Sequence, residues 1–599
     1  MQKKNLLFAA GLMLFAACSE DIQPGTSDNG GLNFTGEGEM LVELKFNNAS
    51  GTRAENDGFG GYEDGKGDES KVKDATFYFF NNKEAGGAYL GSSGKITVAG
   101  ATADKDETDY IESNIAVTVP GLVVDALHDS KGEVKVIVVL NRDNGFKEPI
   151  SGQTYESFRT QVNTGNGTLS FMMTNSVYYT DNNNNNKPWT DTDFAQNIEN
   201  SIGTVTKANV YEKGTTDEKK QVFTVYVERV CSKVTFAVNG ANNSFNIKDA
   251  EDDTAVQGTI TVKAWGLNIL NTKYYPVKQL AAMFGYGVGD NNYSDWPASQ
   301  AKWNNAGNFR SFWAVDPNYS GDGSYLTDFT KTPFSNLEDV TTGTNALYCL
   351  ENTFSNKGQD QDETTSVVVL AQFLLNGATA PVNVVAYGSK GDIPVYYSEN
   401  DFLQKALADK LKDTNYTVAT ATTTTEPREH LKVSDFELKA ENSEETVLGP
   451  AASGTPATGT IGYKSELKIA LKDGLTVYKA DGNVKDKEKL ITELTKGLSE
   501  YTVYVNGYCY YSVPIRHFAE SEVPLMNSTD INKNSQLGRY GIVRNHVYNV
   551  NINSIKALGK PVTDNTSEVP EEPDDKFEFL MDASINVLSW AVRNQNVDL

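Results

Sequence analysis

Residues 583–599 read ASINVLSWAVRNQNVDL, a strand-like run at a place where chains usually end in small, polar, frayed residues. Side chains alternate along an extended chain, so Ile585 and Val587 share one face while Leu588, Trp590 and Val592 share the other. The apolar phase switches between Val587 and Leu588. That requires either a bulge there or a strand buried on both faces. Upstream, residues 563–576 read TDNTSEVPEEPDDK, which is acidic, holds two prolines and has little to bury, so it predicts a solvated tether. A tethered apolar strand needs a groove to receive it, on its own sheet or on another chain. The segment alone leaves both open.

The other end of the chain offers a second such strand. Residues 40–46, MLVELKF, set Met40, Val42, Leu44 and Phe46 against Leu41, Glu43 and Lys45, which predicts a half-buried strand. Gly-, Asp- and Ser-rich sequence flanks it on both sides and reads as linker. The linker after it contains Gly51-Thr52-Arg53-Ala54-Glu55, a lone arginine that solvation alone would explain. Further upstream, Lys3 and Lys4 precede a twelve-residue apolar run, Leu6 to Ala17. That is too short for a membrane span and suits a signal peptide. Phe15-Ala16-Ala17-Cys18 resembles a bacterial lipobox, in which the cysteine is acylated and becomes the new N-terminus. The acidic Ser19-Glu20-Asp21 after it resembles a surface-export signal of some Gram-negative anaerobes.

Between these ends the chain is long enough for two to four domains, at 599 residues. Its net charge of -26 argues against nucleic acid and against an anionic membrane face as partners. With 29 Tyr, 27 Phe and 50 Gly, the composition favours strands joined by turns. Strands are predicted over residues 71–80, 134–140, 171–179, 221–238, 259–269, 365–373, 382–387, 467–471, 501–505, 508–515 and 547–552. Residues 134–140, VKVIVVL, are apolar apart from Lys135 and predict a central strand covered on both sides. Little helix is expected before about residue 279. Residues 400–413 predict an amphipathic helix, with Phe402, Leu403, Ala406, Leu407 and Leu411 at helical spacing and Ser398 or Asn400 as cap. Residues 485–498 predict a second, shorter one. Cys231, Cys349 and Cys509 lack zinc or CxxC spacing and read as buried free thiols, with one disulfide left open.

No pattern in the sequence carries catalysis. His128, His430, His517 and His546 fall in no HExxH or i, i+4 pair. No GxSxG, phosphate-binding loop or dinucleotide fingerprint appears. Any two of 79 carboxylates could be named a glycosidase pair, so their number points to nothing. No metal and no cofactor is expected.

Several stretches carry a family resemblance. YGIVRNHVY at 540–548, followed by Asn549-Val550-Asn551-Ile552 and Gly559-Lys560-Pro561, resembles the C-terminal signature of the fimbrillins, the subunits of type V pili. VERVCSKV at 227–234 resembles their strand at the domain junction. NFRSFWAVDPNY at 308–319, YCLENT at 348–353, CYYSVPIRHF at 509–518 and the ending from Leu588 to Leu599 are similar to the branch that builds the short, or minor, fimbria.

The resemblance implies a mostly β chain with two β-sandwich (transthyretin-like) domains and a few short helices, open to donor-strand exchange. It implies a signal peptide (1–17), a propeptide with lipidated Cys18 (18–53), an N-terminal domain (54–228), a C-terminal domain (229–562) and a tether with donor strand (563–599). An Arg-specific protease would cut between Arg53 and Ala54 and remove Met40, Val42, Leu44 and Phe46 with the first strand. The groove left open would receive Ile585, Val587, Leu588, Trp590 and Val592 of the next subunit. The implied partners are further copies of the chain, fimbrial anchor and tip subunits, and host or bacterial surface receptors. The implied function is a non-enzymatic surface fimbria supporting adhesion, co-aggregation and biofilm formation. Two rival readings remain on sequence: a non-polymerising surface lipoprotein that binds glycan, and a tip or anchor component of the same fimbria.

Overall fold

The structure, a computed structural model, describes residues 32–46, 62–64, 67–69, 71–81, 87–98, 114–129, 133–166, 169–175, 203–216, 220–249, 255–279, 316–318, 329–353, 364–390, 393–420, 428–440, 467–517, 540–562 and 581–591. It is mostly β, with strands gathered around several apolar cores, three of them large, and a few short helices.

The first half forms one ten-stranded sheet. Its path runs through Tyr211–Glu212, Gly38–Phe46, Val222–Arg229, Met173–Asn175, Glu133–Leu140, Asp74–Asn81 and Tyr89–Ser92. The apolar run in Glu133–Leu140 has a simple cause. Val136 and Val138 enter the core on one face with Phe77 and Phe79, while Ile137 and Val139 enter an aromatic cluster on the other with Tyr78, Phe80 and Phe158. A strand covered on both faces has no need of polar alternation. The sequence did not single out the helix Gly121–His128. It starts directly after Pro120 and lays Val123, Val124 and Leu127 on the first of these cores.

The second half sets two sheets against one shared core. One sheet orders Tyr62–Asp64, Met581–Ala591, His546–Ile555, Cys231–Val238 and Ala346–Leu350. The other orders Ser244–Lys248, Val256–Asn268, Ser366–Leu375, Tyr508–Pro514 and Lys560–Pro561. Val234, Phe236, Val550 and Ile552 from the first meet Ile260, Val262, Val369, Phe373 and Tyr511 from the second. The predicted strand over residues 221–238 divides here into Val222–Arg229 and Cys231–Val238, which belong to the two different halves.

A third core is inserted between Ser366–Leu375 and Tyr508–Pro514, which are themselves hydrogen-bonded neighbours. Its main helix, Glu399–Lys412, buries the five predicted residues, and Ser398 is the cap, accepting from Asp401 N at 3.2 Å. The second helix, Lys487–Thr495, is shorter than predicted and is capped by Asp486. The chain returns through Gly507 at φ +73°, where a Cβ would stand 2.1 Å from the Phe373 carbonyl oxygen. Only glycine meets both conditions without strain.

Candidate functional site

The first strand, Gly38–Phe46, lies inside the sheet. It runs antiparallel to Asn114–Val119 from Gly38↔Val119 to Glu43↔Asn114. On its other edge it meets Tyr211–Glu212 at Gly38 and Glu39, then runs parallel to Val222–Arg229 from Leu41 to Phe46. Met40 and Val42 are 0% exposed, Leu44 2% and Leu41 5%. The strand is buried along the Met40, Val42 and Leu44 face, as expected, while on the other face Glu39 and Glu43 are partly exposed. Leu41, on the face that was expected to be polar, is buried too. Phe46 stands in register with Val227.

Three polar contacts pin the entry to this strand. Lys220 Nζ lies 2.7 Å from Glu39 Oε2, with side chains 2% and 21% exposed. Lys213 pairs with Glu37 at 3.5 Å on the surface, and His128 Nε2 lies 2.9 Å from the Phe34 carbonyl oxygen. Sequence reasoning missed Lys220, since nothing local links it to a carboxylate far upstream.

The terminal strand, Met581–Ala591, pairs within its own chain. It runs antiparallel to His546–Ile555, and Ser589, Trp590 and Ala591 pair in parallel with Tyr62, Glu63 and Asp64. Met581 is buried in the shared core, with Ala583 and Ile585 half-buried against it. Val587, Leu588 and Trp590 sit opposite Tyr548, Val547 and Glu63. The register is regular through Val587 and Leu588, so no bulge accounts for the phase switch. The one shift lies between Ile552 and Ser554. Cys18, Arg53, Ala54 and Val592 lie outside the described residues.

Between these strands the RNHxY signature closes a turn. Asn545 takes φ 60°, a left-handed conformation that asparagine tolerates. Its N–H donates to Cys231 O at 3.0 Å, and its side-chain oxygen accepts from Arg229 N at 3.3 Å. Arg544 Nε donates to Glu351 Oε2 at 3.1 Å, with both side chains 1% exposed, and Nη2 donates to Tyr275 O at 3.2 Å. Such a pair holds because each charge offsets the other's desolvation. His546 Nδ1 donates to Arg544 O at 2.8 Å, while the Tyr548 hydroxyl accepts from Val543 N at 2.8 Å and bonds His517 Nδ1. Burial holds the Tyr548 phenol well above its usual pKa.

Beside this turn, Arg229 Nε donates to Glu69 O at 2.8 Å, and the Glu69 carboxylate binds Lys233 at 3.1 Å and the Tyr348 hydroxyl. Burial lowers the Arg229 pKa to about 10. Asp316, in the matched stretch 308–319, accepts from Thr353 N and Asn318 N, and burial pushes its carboxyl up to about 7. These groups are spent on backbone and on one another, which is an architectural use.

The three described cysteines, Cys231, Cys349 and Cys509, are free, buried thiols. Cys231 pairs with Leu350 and Cys349 with Ser232 on neighbouring strands, so their side chains fall on opposite faces. Cys509 lies on the other sheet. The disulfide left open by the sequence does not form. Burial pushes Cys231 and Cys509 up to about 12 and raises Cys349 as well. Among the described residues no three His, Cys, Asp or Glu side chains converge on a metal position.

Residues 502–596 match the family described as "Major fimbrial subunit protein type IV, Fimbrillin, C-terminal". No curated protein matches. Among solved structures, a fimbrilin from Porphyromonas gingivalis W83 is similar at 12% identity and TM-score 0.30, over 93% of this chain and 98% of that one. A putative cell adhesion protein from Bacteroides eggerthii is similar at 10% identity and TM-score 0.31, over 94% and 99%. The tip fimbrial protein Mfa3 from Porphyromonas gingivalis, truncated at its C-terminus, is similar at 10% identity and TM-score 0.24, over 92% and 100%.

Proposed function

We propose that this chain, whose residues 502–596 match the fimbrillin C-terminal family, is a fimbrial structural subunit that assembles by exchange of its first strand. The precursor is acylated at Cys18 and anchored at the outer membrane. An Arg-specific protease cuts between Arg53 and Ala54. The first strand then leaves, and the terminal strand of a neighbouring copy takes its place by β-strand addition. A head-to-tail contact of this kind does not close on itself, so it builds a filament. The filament ends on tip and anchor subunits and supports adhesion, co-aggregation and biofilm formation through surface receptors.

The observation that carries this reading is the placement of Gly38–Phe46. It is paired on both edges and buries Met40, Leu41, Val42 and Leu44, yet it lies ahead of Arg53. Its excision opens a slot with two unpaired backbone edges, which is an assembly template. Refilling it with four large apolar side chains is worth on the order of 6–12 kcal/mol as an upper bound, at roughly 1.5–3 kcal/mol each. That suits a polymer meant to persist. In the precursor the slot is full, which blocks premature pairing.

Mass spectrometry of the mature N-terminus on sheared surface filaments tests the route. The expected terminus is Ala54, and Arg53→Ala should leave uncleaved, lipidated monomer. Filaments beginning at Cys18 would overturn it.

A further inference from the structure

Residues 62–69 begin on the outer edge of the terminal strand and end against strands on its far side. Tyr62–Asp64 pairs in parallel with Ser589, Trp590 and Ala591. Further on, the buried Glu69 carboxylate meets Lys233 at 3.1 Å and the Tyr348 hydroxyl, and the Glu69 carbonyl accepts from Arg229 at 2.8 Å. Lys233 and Tyr348 belong to Cys231–Val238 and Ala346–Leu350, which follow the terminal strand and His546–Ile555 in the sheet order. The segment therefore straps across the sheet.

Its pairing covers the tip of the terminal strand. Against His546–Ile555 the register runs from Met581 to Ser589 and stops there. Among the described strands, Trp590 and Ala591 pair with Tyr62–Asp64 alone. A strand joined to its own body upstream peels from its downstream end, so this pairing guards the point where release would start. Fit to the slot makes the same demand. Gly38–Phe46 has a neighbour along each edge, so a strand that replaces it must arrive with both edges bare.

We propose that residues 62–69 are a retaining strap: Tyr62–Asp64 holds the tip of the terminal strand on its own subunit, Glu69 anchors the strap, and the strand is given up only when Tyr62–Asp64 lets go. The proposal rests on the strand-exchange reading and adds a gate on the donor to the filled slot that gates the acceptor. Three paired residues hold little alone, since short isolated pairings are marginal in water. Here only residues 65 and 66 separate them from Gly67–Glu69, so an anchored Glu69 keeps them at high effective concentration beside their partner. Glu69 suits an anchor because a buried carboxylate is costly to part from its ammonium.

The test uses the full chain nicked after Arg53, with polymerisation followed by light scattering. Asp64 and Ala591 stand in register, so Asp64→Cys with Ala591→Cys can be joined by oxidation. The joined chain should not polymerise, and reductant should restore the rate of the unaltered nicked chain. Each single substitution should polymerise normally in oxidant, since Cys231, Cys349 and Cys509 are buried. Without oxidation, Glu69→Gln should speed amide hydrogen exchange at residues 589–591 about tenfold or more and leave Glu133–Leu140 unchanged. Unaltered exchange at 589–591 in that variant overturns the anchor. A joined chain that polymerises like the reduced one, or two thiols that never join, overturns the strap and leaves strand exchange standing. If neither the unaltered nicked chain nor the reduced variant polymerises, strand exchange falls and takes the strap with it.

Discussion

The first strand and the terminal strand are built from similar alternating residues but hold different ranks in their sheets. Gly38–Phe46 has a neighbour along each edge and buries Met40, Leu41, Val42 and Leu44. Met581–Ala591 is held along one edge by His546–Ile555 and on the other by three residues, Tyr62–Asp64. Its described contacts with the core are one buried methionine, with Ala583 and Ile585 half-buried. Rank in the sheet, more than composition, sets how much free energy a strand carries. Segments that must move belong at the less stable end of that range. On the proposed route the first strand leaves after its chain is cut, and the terminal strand is the one exchanged.

The comparison breaks or sharpens under three substitutions. The largest effect is expected from Val42→Asp, which places a carboxylate at a position of 0% exposure between two strands. The precursor should lose about 4 kcal/mol or more and fail to accumulate as soluble protein. A precursor with an unchanged urea midpoint would mean that the first strand is dispensable before cleavage.

Next comes Arg544→Ala, at the turn that starts the strand on which the terminal strand rests. It strips Glu351 of its partner in a site 1% exposed, at an expected cost of about 3–5 kcal/mol in urea unfolding. Replacing both by apolar residues, Arg544→Met with Glu351→Leu, should cost far less. Equal losses in the two variants would place the signature's value in something other than the ion pair.

The smallest effect on the subunit is expected from Ile585→Asp. Its half-buried position predicts a loss of about 1 kcal/mol in the monomer, together with failure to form heat- and detergent-resistant filaments. A loss as large as that of Val42→Asp would show that the terminal strand belongs to its own subunit and is not exchanged.

What could be read ahead of the structure was local. The helix over residues 399–412 was legible because five apolar residues fall at helical spacing behind a serine cap. The Glu133–Leu140 strand was legible because an unbroken apolar run fits only a strand covered on both faces. The third core went unseen, since an insertion between two paired strands leaves each piece looking like an ordinary strand or helix. The split of residues 221–238 at Val230 left no mark in the alternation, because both halves alternate well enough to be one strand; only the resemblance, which implied a domain junction at 228/229, pointed there.

By itself, then, the sequence determined most of the longer strands, the helix over residues 399–412 and the phase of their apolar faces. These follow from periods of two and 3.6 residues that are written into neighbouring positions. Only the tertiary structure decided who pairs with whom. It brought Lys220 to Glu39 across 181 positions and Arg229 to Asn545 across 316. It also set the first strand between two long neighbours and the terminal strand between His546–Ile555 and the three-residue strand Tyr62–Asp64. The physical reason is that closing a long loop costs only slowly more with length, so a distant partner is nearly as accessible as a close one. The choice between them is made by burial and charge complementarity, neither of which leaves a trace in the residues nearby.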